Sequence, residues 1–448
     1  MKQTAIGKYR WTICALLFFA TTVNYLDRQV LSLLKPTLER EFDWSNSDYA
    51  NIASVFQFSY AISLLFAGRI VDKLGTKAGY SWAIIIWSLA AILHAYAVPA
   101  GMMVATVLGW VGITAVPISI AGFMLSRALL GFGEAGNFPA AIKTTAEWFP
   151  KNERALATGI FNSGANIGAV AAPILVPWIL GTYGWEMAFI ATGAIGFVWL
   201  IFWWFYYEVP SKHKSLSKEE FDYIHADKEE KDENQEPVKW AKLFGFRQTW
   251  AFVFGKMFTD PIWWFFLFWL PSYFSERFQL DLKKPSLELI IVYTATTIGS
   301  IGGGWLSGYL INKGWPSFKA RKFTMLGFAL AVVPIMLARY CDNIWQAVAL
   351  ISLAAASHQA WSANIYSIAT DMFPKKAVSS IIGIGGMAGS VGGIFFPFIV
   401  GILLDKYKLL GNINDGYNII FLMCGSAYII AWAIIYTLAP KLEIANID

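Results

Sequence analysis

The chain has 448 residues, of which 56% are hydrophobic and only 15% are charged. Soluble domains carry about 25% charged residues, so the composition excludes a water-soluble enzyme. The net charge is only +5, and lysines and arginines lie at the ends of apolar runs, which excludes a nucleic-acid-binding surface. A helix needs roughly 20 apolar residues to cross a bilayer, so the chain can hold about a dozen spans.

Twelve apolar runs of spanning length follow one another along the chain. They lie at about 11–34, 49–70, 78–97, 119–142, 155–180, 187–207, 249–274, 287–311, 322–339, 344–370, 378–403 and 417–438. Lysine and arginine are concentrated in alternate connections, and positive residues are retained on the cytoplasmic side of a membrane. The pattern predicts an all-α membrane protein with both termini in the cytoplasm.

A charged segment divides the spans into two groups of six. Its lysines, glutamates and aspartates predict a soluble, partly helical connector. The expected domains are a six-helix bundle at 1–208, a cytoplasmic connector at 209–248 and a second six-helix bundle at 249–448.

The apolar segment from Pro99 to Pro117 has the length of a thirteenth span. Counting it as one would move Lys151 and Arg154 to the outside and break the charge pattern for half the molecule. Its prolines and glycines also disfavour a helix interior. We expect an apolar extension at the outer face, and a re-entrant segment remains the alternative.

The two halves share an internal repeat. Phe149-Pro150-Lys151 aligns with Phe373-Pro374-Lys375, and the same offset superimposes five further identical residues of 159–176 on 383–400. Parallel six-helix repeats with a site at their interface are typical of transporters. The offset also aligns Glu134 with His358, so we expect these two side chains at equivalent places facing a central cavity.

Four ionisable residues inside the predicted spans are the main functional candidates: Asp27, Arg28, Arg127 and Glu134. Such residues cost several kcal/mol in a bilayer and are functional candidates by default. Arginine offers a planar fork of donors that suits a substrate carboxylate, while a buried carboxylate can exchange a proton. The residues therefore predict a proton-coupled anion site; the alternative is that each carboxylate only neutralises an arginine.

Polar and aromatic residues on other spans are candidates for contacts to a polyhydroxylated ligand. For the tenth span the alternatives are a packing histidine and hydrogen bonds between helices. For the aromatic residues of the seventh span the alternative is packing. The candidates are Tyr25, Tyr60, Trp264, His358, Gln359, Trp361, Ser362 and Asn364.

A charged connection is predicted between the second and third spans, with Gly68, Asp72, Lys73 and Gly75 as its key residues. Glycine permits a close turn, and Asp72 can pair with a neighbouring helix end, so the segment is a candidate latch between conformations. No catalytic triad, paired cysteine ligands or phosphate loop is present in the sequence.

The charged connection and the repeated halves resemble the major facilitator superfamily. Four motifs are similar, more narrowly, to the anion:cation symporter family and its bacterial hexuronate transporter branch. These motifs are 24–28 (NYLDR), 131–139 (GFGEAGNFP), 147–150 (EWFP) and 358–362 (HQAWS).

The resemblance implies proton symport of a sugar acid such as glucuronate or galacturonate by alternating access. It implies that Asp27 and Glu134 handle protons, that Arg28 binds the substrate carboxylate and that Arg127 exchanges partners with Glu134. It also places Tyr25, Tyr60, Gln359 and Trp361 along the sugar site. The open alternatives are a symporter of an aldonate or another organic anion, and an anion exchanger without proton coupling.

The remaining expectations concern partners and location. We expect no enzyme activity, no metal and no cofactor, with protons as the coupling ion. The expected partners are the lipid bilayer and a small anionic sugar acid, not nucleic acid. A monomer in the bacterial cytoplasmic (inner) membrane is the expected functional form.

Overall fold

In this computed structural model, the described residues are 7–110, 112, 116–226, 240–441 and 443–447. They form helices and connections, and none of them lies in a strand. The chain divides into two compact units. Unit 1 comprises 1–37 and 55–233, and unit 2 comprises 38–54 and 234–448.

Nine helices begin before residue 227, and the first two extend across the boundary between the units. They are α1 (Tyr9–Phe42), α2 (Asn46–Leu74), α3 (Thr76–Leu93), α4 (Ala97–Trp110), α5 (Ile118–Glu134), α6 (Asn137–Trp148), α7 (Lys151–Tyr183), α8 (Trp185–Tyr206) and α9 (Lys218–His225). Short 3₁₀ turns lie at His94–Tyr96 and Pro210–Lys212.

Eight helices follow in unit 2. They are α10 (Trp240–Leu243), α11 (Arg247–Phe268), α12 (Leu270–Phe278), α13 (Leu287–Asn312), α14 (Ser317–Val332), α15 (Ile344–Met372), α16 (Lys375–Leu409) and α17 (Ile413–Leu438). A 3₁₀ segment, Val333–Tyr340, continues α14.

Nine helical runs in the described part of the chain are long and apolar enough to cross a membrane. The helices α1, α11 and α15 are not among the nine, although their 34, 22 and 29 residues are sufficient for a span. With these three, the helical runs of spanning length match the twelve expected from the sequence. These three helices carry most of the candidate site residues. The polar side chains among those residues lower the mean hydropathy of the helices.

The segment 99–117 does not form a separate long helix in its described part. The run Thr76–Trp110 is helical throughout and is one of the nine candidate spans. At 1.5 Å per residue it is roughly 50 Å long, which exceeds the roughly 30 Å apolar layer. The expectation that Pro99 and Gly109 disfavour a helix was wrong. Pro99 is the third residue of α4 and follows the 3₁₀ turn His94–Tyr96.

Glycines allow α4 and α5 to approach each other closely. A Cβ on Gly122 would lie 1.7 Å from the carbonyl oxygen of Ala97, and one on Gly101 would lie 1.9 Å from that of Ile118. No side chain fits at either distance, so α4 is held against α5 by backbone contact.

The predicted connector is helical in part, as expected. The helix α9 lies within it, and its N-cap Ser217 accepts a hydrogen bond from the Glu220 backbone nitrogen. The rest of the connector at 227–239 lies outside the described residues. The domain boundaries at 208 and 248 stay a prediction.

Candidate functional site

The polar centre of unit 1 is an ion pair between α1 and α5. The Arg28 Nε donates to the Glu134 Oε2 at 2.5 Å, and both side chains are fully buried. Desolvating two charges is expensive, and only a closely matched opposite charge compensates for the cost. The resemblance implies that Arg127 exchanges partners with Glu134, and the structure adds Arg28 as a hydrogen-bond donor to Glu134.

Three aromatic rings surround the Arg28 guanidinium. Its Cζ lies 4.7 Å from the Tyr25 ring centroid, 4.8 Å from that of Tyr60 and 5.4 Å from that of Phe56. A guanidinium over aromatic faces gains cation–π energy and stays in a fixed plane. Tyr25 and Tyr60 therefore lie beside the arginine that was predicted to bind a carboxylate.

The second carboxylate of unit 1 is buried without a hydrogen-bond donor. Asp27 is 3% exposed, and neither of its oxygens has a partner among the described residues. The Thr192 hydroxyl is close to Asp27 and lies 3.4 Å from the Phe189 carbonyl oxygen. Arg127, buried on α5, lies within electrostatic reach of both Asp27 and Glu134. The four charged residues predicted from the sequence therefore form one buried cluster.

Close helix packing places this cluster. A Cβ on Gly131 of α5 would lie 2.6 Å from the Phe56 carbonyl oxygen, and one on Gly168 of α7 would lie 3.0 Å from the Tyr25 Cβ. These glycines bring α2 and α7 next to the helices that carry the charges. Gly131 therefore serves close helix packing.

The polar centre of unit 2 includes His358 on α15. Its Nδ1 lies 2.5 Å from the Tyr428 hydroxyl of α17, and its ring stacks on Trp263 of α11 at 5.4 Å between centroids. Trp361 is fully buried with Tyr428 against it edge-on at 5.5 Å. His358 is thus fixed by two neighbouring helices.

The other candidates of unit 2 divide into two groups. Asn364 donates to the carbonyl oxygens of Gly303 and Ala360 at 2.9 Å each, so its amide group joins α15 to α13. This bond matches the alternative interpretation of a hydrogen bond between helices. Gln359, Ser362 and Trp264 are partly exposed, and Trp264 stacks on Phe268 at 5.7 Å.

A lysine–aspartate pair on α11, in which the lysine is buried, was missed as a site by the sequence analysis. The Lys256 Nζ lies 2.8 Å from the Asp260 Oδ2 and donates to the Tyr366 hydroxyl at 3.0 Å. Opposite charges four residues apart inside an apolar run were the available signal. No group of three or more histidine, cysteine, aspartate or glutamate side chains suited to a metal occurs in the described chain.

Comparison with known families decides the class of protein. A model of the Major Facilitator Superfamily matches residues 17–397. The chain belongs to the Major Facilitator Superfamily. Its members and relatives are transporters, so the expectation that the chain is not an enzyme is confirmed.

Two curated transporters cover most or much of the chain. It is 28% identical to the hexuronate transporter of Escherichia coli K12 over 98% of this chain and 96% of that protein. It is 31% identical to the galacturonate transporter of Dickeya chrysanthemi over 66% of this chain and 81% of that protein. The resemblance to sugar-acid transporters stated from the motifs is confirmed.

Solved structures of the superfamily share the fold. A bacterial homologue of the human lysosomal transporter Spinster matches with a TM-score of 0.76 at 16% identity, covering 98% of each chain. A D-xylose–proton symporter matches with a TM-score of 0.72 at 16% identity, covering 97% of this chain and 99% of that one. The predicted major facilitator fold, an all-α membrane protein, is confirmed.

The charged connection of this superfamily member is shorter than expected. Gly68, Asp72 and Lys73 lie within α2, and only Gly75 separates α2 from α3, with a φ of 79° that favours glycine. The Asp72 carboxylate accepts from the Lys143 Nζ of α6 at 2.8 Å. Asp72 therefore pairs with a side chain from the middle of a neighbouring helix rather than with a helix end, and its role as a latch stays a prediction.

Proposed function

We propose that the protein is a proton-coupled symporter that imports a sugar acid, a hexuronate such as glucuronate or galacturonate, by alternating access. The observation that carries the proposal is the buried Arg28–Glu134 pair, in which an arginine suited to a carboxylate is held by a carboxylate of the protein. A substrate carboxylate and the Glu134 carboxylate then compete for one guanidinium.

Competition for Arg28 links the proton to the substrate. When Glu134 takes a proton, its charge-assisted hydrogen bond with Arg28 is weakened, because such bonds are roughly twice as strong as neutral ones. The guanidinium is then available to a substrate carboxylate in the plane fixed by Tyr25 and Tyr60. Asp27, buried without a donor, is the second proton carrier, and Arg127 stabilises whichever carboxylate is ionised.

The substrate class follows from the combination of charge and aromatic surface. An arginine framed by tyrosines binds a carboxylate on one side and offers ring faces and hydroxyls to a sugar on the other. The names of the hexuronate and galacturonate transporters favour a uronate. Gln359, Ser362 and His358 are proposed to contribute hydrogen bonds from unit 2.

The proposed location and form complete this function. Both termini lie in the cytoplasm of a bacterium, the protein acts as a monomer in the inner membrane, and no cofactor takes part apart from the proton. The residues of the charged connection, Gly68, Asp72, Lys73 and Gly75, act in gating.

An aldarate or aldonate is the second candidate for the substrate. The probable galactarate/D-glucarate transporter GarP of E. coli is 30% identical over 89% of this chain and 88% of that protein. An exchanger without proton coupling is less well supported. It would use opposing basic residues, whereas Lys256, the lysine of α11, is neutralised by Asp260.

Uptake into proteoliposomes tests the proposal. Purified protein is supplied with labelled glucuronate, galacturonate, galactonate and galactarate, with and without an inward proton gradient. We expect a uronate to be accumulated only with the gradient. Equal uptake with and without the gradient would contradict proton coupling, and preference for galactonate or galactarate would contradict the uronate assignment.

A further inference from the structure

The Lys256–Asp260 pair differs from the charged cluster of unit 1 in the exposure of its carboxylate. The Asp260 side chain is 21% exposed, whereas Glu134 is 0% and Asp27 is 3% exposed. Lys256 itself is buried, with a side chain that is 4% exposed. The carboxylate is therefore held by a buried ammonium and is itself partly exposed.

Glycine positions Asp260 in this place. A Cβ on Gly389 of α16 would lie 2.1 Å from the Asp260 Oδ2, the same oxygen that accepts from Lys256. The next residue, Pro261, packs in the same way, because a Cβ on Gly392 would lie 2.5 Å from its Cγ. The absence of side chains on this face of α16 is what allows the carboxylate to meet the ammonium.

The groups around the pair come from three helices. From α15, Tyr366 accepts from Lys256 at 3.0 Å, with its ring centroid 4.4 Å from the Nζ, and His358 lies within electrostatic reach of Lys256. From α17, Tyr428 lies within electrostatic reach of Asp260 and close to His358. From α16, Gly389 contributes no side chain. When the His358 imidazole is neutral, the charges of Lys256 and Asp260 cancel, so this cluster has no net charge.

We propose that Asp260 is a proton-binding site of unit 2 and that its protonation breaks the ion pair with Lys256. The proton comes from solvent at the exposed side of the carboxylate and forms the O–H bond of the neutral acid. The Lys256 ammonium keeps its hydrogen bond to Tyr366 and loses its counter-charge. The cluster gains one positive charge, which favours an anionic substrate.

This role in transport rests on the proposed symport, but proton binding itself is measurable without substrate. The experiment is infrared difference spectroscopy of the protonated carboxyl band in substrate-free protein in liposomes, titrated from alkaline to acid pH. The variant Asp260→Asn should lose one component of the titrating band. An unchanged band in this variant would overturn the proposal whether or not uptake proves to be proton-coupled.

Two glycine-to-alanine variants of α16 provide a matched comparison. In Gly389→Ala the new methyl group pushes the carboxylate away from Lys256, and the Asp260 component should titrate about one pH unit or more higher, because an opposite charge at contact shifts a carboxyl by that amount. Gly386→Ala adds the same methyl group to the same helix with nothing within 4 Å, and should titrate as wild type. The same midpoint in both variants would contradict the proposal. Asp260→Asn alone decides the question if Gly389→Ala does not fold.

Discussion

Arg28 and Glu134, separated by 106 residues, form a buried ion pair across α1 and α5. The Glu134 Oε2 is in contact with Arg28, while its Oε1 is buried without a hydrogen-bond partner. A carboxylate with one unsatisfied oxygen is costly to keep ionised away from water. The ion pair therefore holds Arg28 in place, and protonation of Glu134 removes the free-energy cost of keeping that carboxylate ionised.

The first prediction concerns Arg28→Lys. Lysine keeps the charge but lacks the planar fork that binds a carboxylate through two parallel hydrogen bonds. Loss of one charge-assisted hydrogen bond of 1.5–3 kcal/mol should weaken substrate binding by roughly 10- to 150-fold. Binding is measured by calorimetry on purified protein. Arg247→Lys, at an exposed position that begins α11, is the control and should bind as wild type. Unchanged affinity in Arg28→Lys would exclude Arg28 from the site.

The second prediction concerns the contact of α4 with α5. Gly122→Ala places a methyl group 1.7 Å from a backbone oxygen, so the helices must separate and the variant should be destabilised by about 1–3 kcal/mol. Gly109→Ala in α4 has open space and should be neutral or stabilising by about 0.5–1 kcal/mol. Thermal unfolding in detergent compares the two. Equal midpoints would contradict the close contact.

The sequence predicted much of the fold because membrane constraints are local. Hydropathy and charge located the twelve spans, and the repeat offset aligned Glu134 of α5 with His358 of α15, both of which are buried. The helix limits were less accurate. The charged motif placed Gly68 in a connection, although α2 continues to Leu74.

The pairing of the charges could not be predicted from the sequence. Arg127 shares a helix with Glu134 and lies within electrostatic reach of it, while helix packing brings Arg28 of another helix to the Glu134 Oε2. The proposed role of Asp260 depends on its contact with Gly389, which lies 129 residues later in the chain. No local sequence pattern can predict a contact over that separation. Tertiary contacts of this kind are decided by packing.

The third prediction concerns topology. If both termini are cytoplasmic, a cysteine replacing Trp110, which is 79% exposed at the end of α4, should react with a membrane-impermeant maleimide from outside intact cells. Lys212→Cys, after α8, should react only after permeabilisation. Cys14, Cys341 and Cys424 are buried and should give little background. Labelling of Lys212→Cys in intact cells would overturn the orientation.

The fourth prediction concerns acid stability of the start of α7. The Arg10 guanidinium donates to Glu153 at 2.7 Å and Tyr223 donates at 3.0 Å. The hydrogen bond from Arg10, helped by Tyr223 and opposed by burial, lowers the pKa of Glu153 below its usual value of 4.5. A lowered folded-state pKa gives a stabilisation that is present above pH 4.5 and is lost as pH falls through the folded-state value.

Thermal unfolding of wild type and Glu153→Gln, from neutral pH to below 4.5, measures this contribution. The Arg10–Glu153 pair is partly exposed, so its contribution is small. Over this pH range the thermal unfolding midpoint of the variant should fall by up to about 2–4 °C less than that of wild type. Glu219→Gln, exposed on α9, is the control and should keep the wild-type slope. Identical slopes for wild type and Glu153→Gln would contradict the prediction.

The last prediction is that Glu134 couples protons to transport without being essential for holding substrate. Glutamine resembles the protonated acid and can accept from Arg28 through its amide oxygen, so Glu134→Gln should still bind substrate and exchange it in counterflow. It should not accumulate substrate, whereas one coupled proton permits about tenfold accumulation for each pH unit of gradient. Counterflow and gradient-driven uptake are measured in the same proteoliposomes, with exposed Glu186→Gln as the control that retains both. Full gradient-driven accumulation in Glu134→Gln would remove this residue from the coupling mechanism, and loss of counterflow would mean that the ionised carboxylate is needed to build the site.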